Sequence, residues 1–205
     1  VSGVAGLFLG KPLDGLLTLL RVTESYGRVD GARLEDLTHF DQRFDGLWAE
    51  VGTGSPIAIV RDADYLNWRY SRYPFEGVEA FSLERGSDLL GFAAIHTAWE
   101  GEERFVAVLE LAAVSEPPGA HAQLLGEVVR RAVAAGAATI TARTADPDLD
   151  ALLVRFGFRP RTSSYSPVTY KNNTSAGDDL FEDASSWYLS QGDGDGCYFY
   201  DETPE

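Results

Sequence analysis

The spacing of hydrophobic residues changes period several times along this chain, and each change marks an element. Phe40, Phe44, Leu47, Trp48 and Val51 recur at helical intervals, which predicts an amphipathic helix over residues 39–51. A short apolar run predicts a strand over 57–60. Residues 62–72 read as a second helix, capped by Asp62 and stopped ahead of Pro74. Its Tyr65, Leu66 and Trp68 are spaced to pack on a sheet. Strands at 79–84 and 89–99 flank Arg85-Gly86-Ser87-Asp88, a hairpin signal. A turn leads into a strand over 104–114, and after a Pro/Gly loop a helix runs over 121–135 to Gly136. A strand at 139–143, a helix at 148–155 and a last strand at 166–171 complete the order. Residues 11–22 predict a short leading helix and 23–35 a linker. In the Asp/Gly-rich tail, Trp187-Tyr188-Leu189 would add one strand. The expected organisation is a leading helix and linker over 1–35, a domain over 36–171, and an acidic extension over 172–205.

Composition narrows the function classes. The net charge of −15 argues against a nucleic-acid surface and against an anionic membrane. No apolar run reaches the length of a membrane span. The first ten residues are apolar but lack the basic start of a signal peptide. The single Cys197 excludes an internal disulfide and a paired-cysteine metal site, so a reducing cytoplasm is the expected compartment. Asp193-Gly194-Asp195-Gly196 resembles the start of a calcium loop but lacks the later ligands, and it reads as a turn. No metal site is expected. The chain starts at Val1 and contains no Met, so a longer parent protein is expected.

Residues 109–160 run strand, Pro/Gly loop, helix, strand, helix, and close on Gly157-Phe158-Arg159-Pro160. This order resembles the acyl-CoA-binding half of the GCN5-related (GNAT) N-acyltransferases. The resemblance implies an α/β fold with a mixed, mostly antiparallel twisted sheet flanked by helices. It implies acetyl-CoA or a longer acyl-CoA as co-substrate, lying against Leu111, Ala113, Gly119, Ala120, His121 and Ala122. It also puts Glu110 where many members carry a general base, although one carboxylate on an apolar strand is as readily an ion-pair partner. In the family the loop carries Gln or Arg, then a Gly-x-Gly or Gly-x-Ala step, and its N–H groups hold the diphosphate. Here the matching residues are Glu116, Pro117, Pro118, Gly119, Ala120 and His121. Only Gly119 and the helix fit. Glu116 would repel phosphate, the two prolines lack N–H donors, and His121 crowds the approach. Leu153 stands where members with a catalytic tyrosine place it, and Asp146 replaces a frequent Asn.

Three further motifs, Phe40-Asp41 to Leu47-Trp48, Arg61-Asp62 to Arg69-Tyr70, and Trp187-Tyr188-Leu189 to Asp195, resemble the second half of tandem GNAT-like proteins from polysaccharide-biosynthesis loci. That likeness implies transfer to an amine, such as an amino sugar or similar small molecule. It also implies a preceding GNAT half or a second copy as partner. In the alternative, this chain is a catalytically silent partner domain that completes a cleft or dimer interface. Arg61, Tyr65, Asn67, Arg69 and Tyr70 are candidates for a substrate wall; the other reading makes them a packed helix with Arg61 and Arg69 in ion pairs. His39 and His96 read as structural, and His121 as an anion contact or an exposed side chain.

Overall fold

A computed structural model describes residues 3–8, 28–72, 76–161 and 179–194. Its strands are β1 (Gly3–Phe8), β2 (Arg33–Leu37), β3 (Val78–Arg85), β4 (Asp88–Glu100), β5 (Glu103–Ala113), β6 (Thr139–Thr144) and β7 (Arg159–Arg161). They form one sheet in the order β2-β3-β4-β5-β6-β1-β7. Every neighbouring pair is antiparallel except β5 with β6. This is the expected mixed, mostly antiparallel sheet. The helices are α1 (Arg43–Val51), α2 (Ala63–Leu66), α3 (Ala120–Ala134), α4 (Pro147–Arg155) and α5 (Asp179–Glu182).

The alternation of the central strands decides which helix lies on which face. Phe92 pairs with Ser82, and Phe81 pairs with Ala93, so the two phenylalanines point to opposite sides. Phe92 meets the edges of Phe40 and Phe44, ahead of and within α1, at ring-centroid distances of 5.7 and 5.4 Å. Phe81 lies under Arg131 of α3. Hence α1 covers one face and α3 the other. The α3 side is closed by Leu124, Leu125, Val128, Val129 and Ala132, all buried.

Caps and turns follow the sequence closely. Asp62 accepts from the Tyr65 N–H and starts α2, which widens into a π turn at Asn67–Ser71. Asp146 accepts from the Asp148 N–H ahead of Pro147 and starts α4. Gly157, at φ +90°, turns the chain out of α4 towards β7.

The expected strand at 57–60 is not formed. Ile57 makes one bridge to Trp187, while Ile59 and Val60 are exposed, and no described strand pairs with them. The strand expected at Trp187-Tyr188-Leu189 is likewise reduced to isolated bridges, Ile57 with Trp187 and Thr144 with Ser190. The linker expected over 23–35 gives way to β2 at Arg33, and β1 adds a strand the hydrophobic pattern did not predict. Trp68, expected on the sheet, is 60% exposed: Leu66 takes the inward position, and the π turn carries Trp68 outward beside Tyr65 and Arg69. The helix expected at 11–22 and the strand expected at 166–171 lie outside the described residues.

Candidate functional site

The site arises where one strand pairing stops. β5 and β6 run in parallel register only from Phe105–Thr139 to Val108–Ala142. On its other edge β5 carries a bulge: Ala94 pairs with Glu110 and Ile95 with Val108, leaving Leu109 without a partner position. Beyond that bulge β5 and β6 separate. The gap is a cleft of about 460 Å³, lined by β5, the ends of β6 and α4, and the tail residues 187–190. Small-molecule sites commonly have volumes of about 300–1,000 Å³.

The charge of the cleft is predominantly acidic. Glu50, Glu110, Asp146 and Asp148 line it, against Arg143 and His121. Burial holds the His121 imidazole below its ordinary value despite the opposing pull of Asp146. Leu153 is buried and lines the same wall, so the position that the resemblance matches to a catalytic tyrosine holds an apolar group. Gly119, at φ +99°, is the N-cap of α3, with no side-chain capping bond.

Glu110 lies immediately beyond the bulge, on the α1 face of the sheet. Its side chain is 1% exposed and is surrounded by donors. Oε2 accepts from Arg61 Nε at 3.1 Å, Ser190 Oγ at 3.0 Å and the Tyr70 hydroxyl at 3.5 Å. Oε1 accepts from the Tyr188 hydroxyl at 3.1 Å. Arg61 is equally buried. Its Nη2 donates to both carboxylate oxygens of Asp193 at 2.7 Å, and its guanidinium lies 4.6 Å from the Tyr188 ring centroid and 5.4 Å from that of Trp48. Burial pushes the Glu110 carboxyl up and Asp193 adds to the rise, while Arg61 pulls it back. Burial works against the Arg61 charge, but Glu110 and Asp193 outweigh it and hold the guanidinium above its ordinary range. One cation thus serves the buried Glu110 and the part-buried Asp193.

The structure brings Glu110, Leu111, Ala113 and His121 to the cleft. Ala120 and Ala122 are buried in the first turn of α3. None of Arg61, Tyr65, Asn67, Arg69 and Tyr70 lines it. The Asn67 side chain accepts from the Phe40 N–H and donates to the Phe40 and Ala63 carbonyls, which ties α2 to the segment before α1. Arg69 donates to the carbonyls of Gly192 and Gly194. Tyr70 is buried against Glu110, and the Tyr65 ring lies beside Arg61. Sequence reasoning missed the part played by the tail. Tyr188, Ser190 and Asp193 complete the Glu110 network, although the motif that contains them was visible. Among the described residues, no group of three or more His, Cys, Asp or Glu is arranged to hold a metal. No described helix is long and apolar enough to cross a membrane.

No family model matches this chain, and no curated protein matches it significantly. Solved structures do resemble it. A GCN5-related N-acetyltransferase from Anabaena variabilis superposes with a TM-score of 0.53 at 11% identity, over 78% of this chain and 38% of that one. Another, from Kribbella flavida, gives 0.50 at 14% identity, over 78% of this chain and 54% of that one. The integron cassette protein VCH_CASS6 of V. cholerae gives 0.51 at 14% identity, over 71% of this chain and 95% of that one. The chain therefore spans about half or less of the two acetyltransferases. The mixed, mostly antiparallel sheet flanked by helices and the superpositions agree: the fold is that of the GCN5-related N-acyltransferases.

Proposed function

We propose that this chain is a catalytically silent GNAT-fold domain that completes a substrate cleft or interface beside an active acyltransferase half. The observation that carries this reading is the state of Glu110. A general base needs an accessible lone pair within reach of the substrate proton. Glu110 is sealed under the tail, and its two oxygens accept from Arg61, Ser190, Tyr188 and Tyr70. Acyl-CoA itself fits the cleft poorly. Pro117 and Pro118 offer no N–H to a diphosphate, Glu116 repels it, and Glu50, Asp146 and Asp148 line the cavity besides the sealed Glu110, against Arg143 and a His121 whose burial disfavours its cationic form.

A second reading, an N-acyltransferase acting on an amine or amino sugar, is favoured by one observation. The splayed strands keep an open cleft whose wall includes Leu111, Ala113 and His121. Calorimetry with acetyl-CoA separates the two. The expected result for the silent domain is a dissociation constant weaker than about 1 mM, equivalent to less than about 4 kcal/mol of binding free energy. A constant near micromolar, or release of free CoA in the presence of an amine acceptor, would establish the second reading instead.

A further inference from the structure

Tail residues 187–194 lie across the sheet at the point where β5 and β6 part. Among the described residues, the backbone bridges of this segment are isolated ones. The Ile57 N–H donates to the Ser186 carbonyl just ahead of it, the Tyr188 N–H donates to the Ile57 carbonyl, and Ser190 makes one bridge to Thr144 of β6. Side chains hold the rest. Arg61 grips Asp193, and Arg69 donates to the Gly192 carbonyl at 2.9 and 2.5 Å and to that of Gly194 at 3.1 Å. Gly192 is pressed so closely against the bulge that a Cβ there would lie 2.3 Å from the Tyr70 hydroxyl and 2.8 Å from the Leu109 carbonyl oxygen. Tyr188 and Ser190 close over the Glu110 carboxylate, and Trp187, Tyr188, Leu189 and Ser190 share the wall of the cleft with that residue.

We propose that residues 187–194 are a strap, latched by Arg61 and Arg69, that opens as a unit and in opening uncovers Glu110 and widens the cleft. Two features of the seat support this. Among the described residues the strap is held by two isolated bridges and by side-chain bonds, whereas β4 and β5 share a ladder of ten pairs broken by one bulge. Segments so joined open locally at lower free energy than the sheet beneath them. The strap also covers one group, Glu110, whose chemistry depends on access. The inference deepens the silent-domain reading and rests on it for its meaning, since the closed strap is what keeps Glu110 from substrate. The opening itself rests on the geometry alone.

Native-state hydrogen exchange on the full chain tests it, with carbodiimide labelling of carboxylates as the second readout. In the wild type, the amides of Tyr188 and Ser190 are expected to exchange at least about 100-fold faster than those of β4 and β5, through an opening insensitive to low denaturant. Arg69→Ala should speed strap exchange by about a further tenfold and leave the β4 and β5 amides unchanged, as expected for a locally opening unit. Glu110 labelling should rise with it. If strap and β5 amides exchange together in one cooperative step in the wild type, the strap is part of the core and the proposal fails, whether or not the variant folds. If the variant frees the strap and Glu110 stays unlabelled, the strap is not its cover. Both results are independent of CoA binding, so failure of this inference and failure of the silent-domain reading remain distinguishable.

Discussion

Arg61→Ala is expected to destabilise the domain by about 3–5 kcal/mol, the usual cost of leaving a buried charge unpaired. The side chain is 2% exposed and joins Glu110 on β5 to Asp193 in the tail. Removing it leaves two carboxylates in one buried network with no cation between them. Tyr188, Ser190 and Tyr70 would still donate to Glu110, but neutral donors do not cancel a charge. The aromatic groups flanking the guanidinium would also lose their partner. Urea unfolding of the two proteins measures the difference. Its pH dependence separates a charge effect from simple loss of packing. Glu110 already sits above its ordinary value of 4.5 in the presence of Arg61, pushed there by burial. A carboxyl raised in the folded state favours folding when protonated, and that advantage is lost as pH rises through its folded value. Without Arg61 the folded value rises further. The gap between variant and wild type should therefore narrow as pH falls from 7 towards 4.5. Comparing the two proteins removes the shared acid sensitivity of Glu84 and Glu127, whose carboxyls are held low and lose stability in acid. A gap that is constant with pH would assign Arg61 a packing role only.

Local features of this fold were legible in the sequence, and long-range ones were not. The hairpin at Gly86 and the helices after Gly119 and Asp146 depend on nearest neighbours, and their expected bounds fall within one or two residues of those observed. The bulge, the splay and the cleft leave no local trace, since nothing in the alternation of β5 marks where its partner leaves it. β1 escaped because Gly3 and Gly6 interrupt a six-residue strand, and glycine weakens the strand signal. Residues 57–60 erred the other way: an apolar run with β-branched residues has the composition of a strand, but beyond the single Ile57–Trp187 bridge no described strand pairs with it. The Glu110 network was the least legible part. Arg61 and Asp193 are 132 positions apart, and a cation-to-carboxylate pairing over that distance leaves no periodic trace. The motif around Trp187 to Asp195 was nonetheless conspicuous in the sequence. Its role became visible only when the fold laid it against β5.

Phe158→Ala is expected to cost about 3–5 kcal/mol, the range for truncating a buried aromatic side chain. For a domain of this size that lowers the melting temperature by about 6–20 °C. The side chain is 2% exposed and belongs to the same core as Leu153 and Phe156. Its backbone N–H donates to the Leu153 carbonyl at 3.0 Å, which closes the end of α4. The next residue begins β7, and Arg159 pairs with Gly6 of β1. Phe158 therefore fixes both the turn out of α4 and the entry of the last described strand into the sheet. Its loss would leave a cavity at the side of the sheet where β6, β1 and β7 meet. Trp68→Ala supplies the contrast. That residue is as large but 60% exposed, and its truncation should stay within about 0.5 kcal/mol, as for surface positions generally. Thermal unfolding of the two variants side by side decides the matter. A Trp68 variant that melts as low as the Phe158 variant would mean that α2 packs with its other face inward, and the assignment of Leu66 as the inward residue would be wrong. A Phe158 variant that melts with the wild type would break the link drawn here between the turn after α4 and the β1–β7 edge.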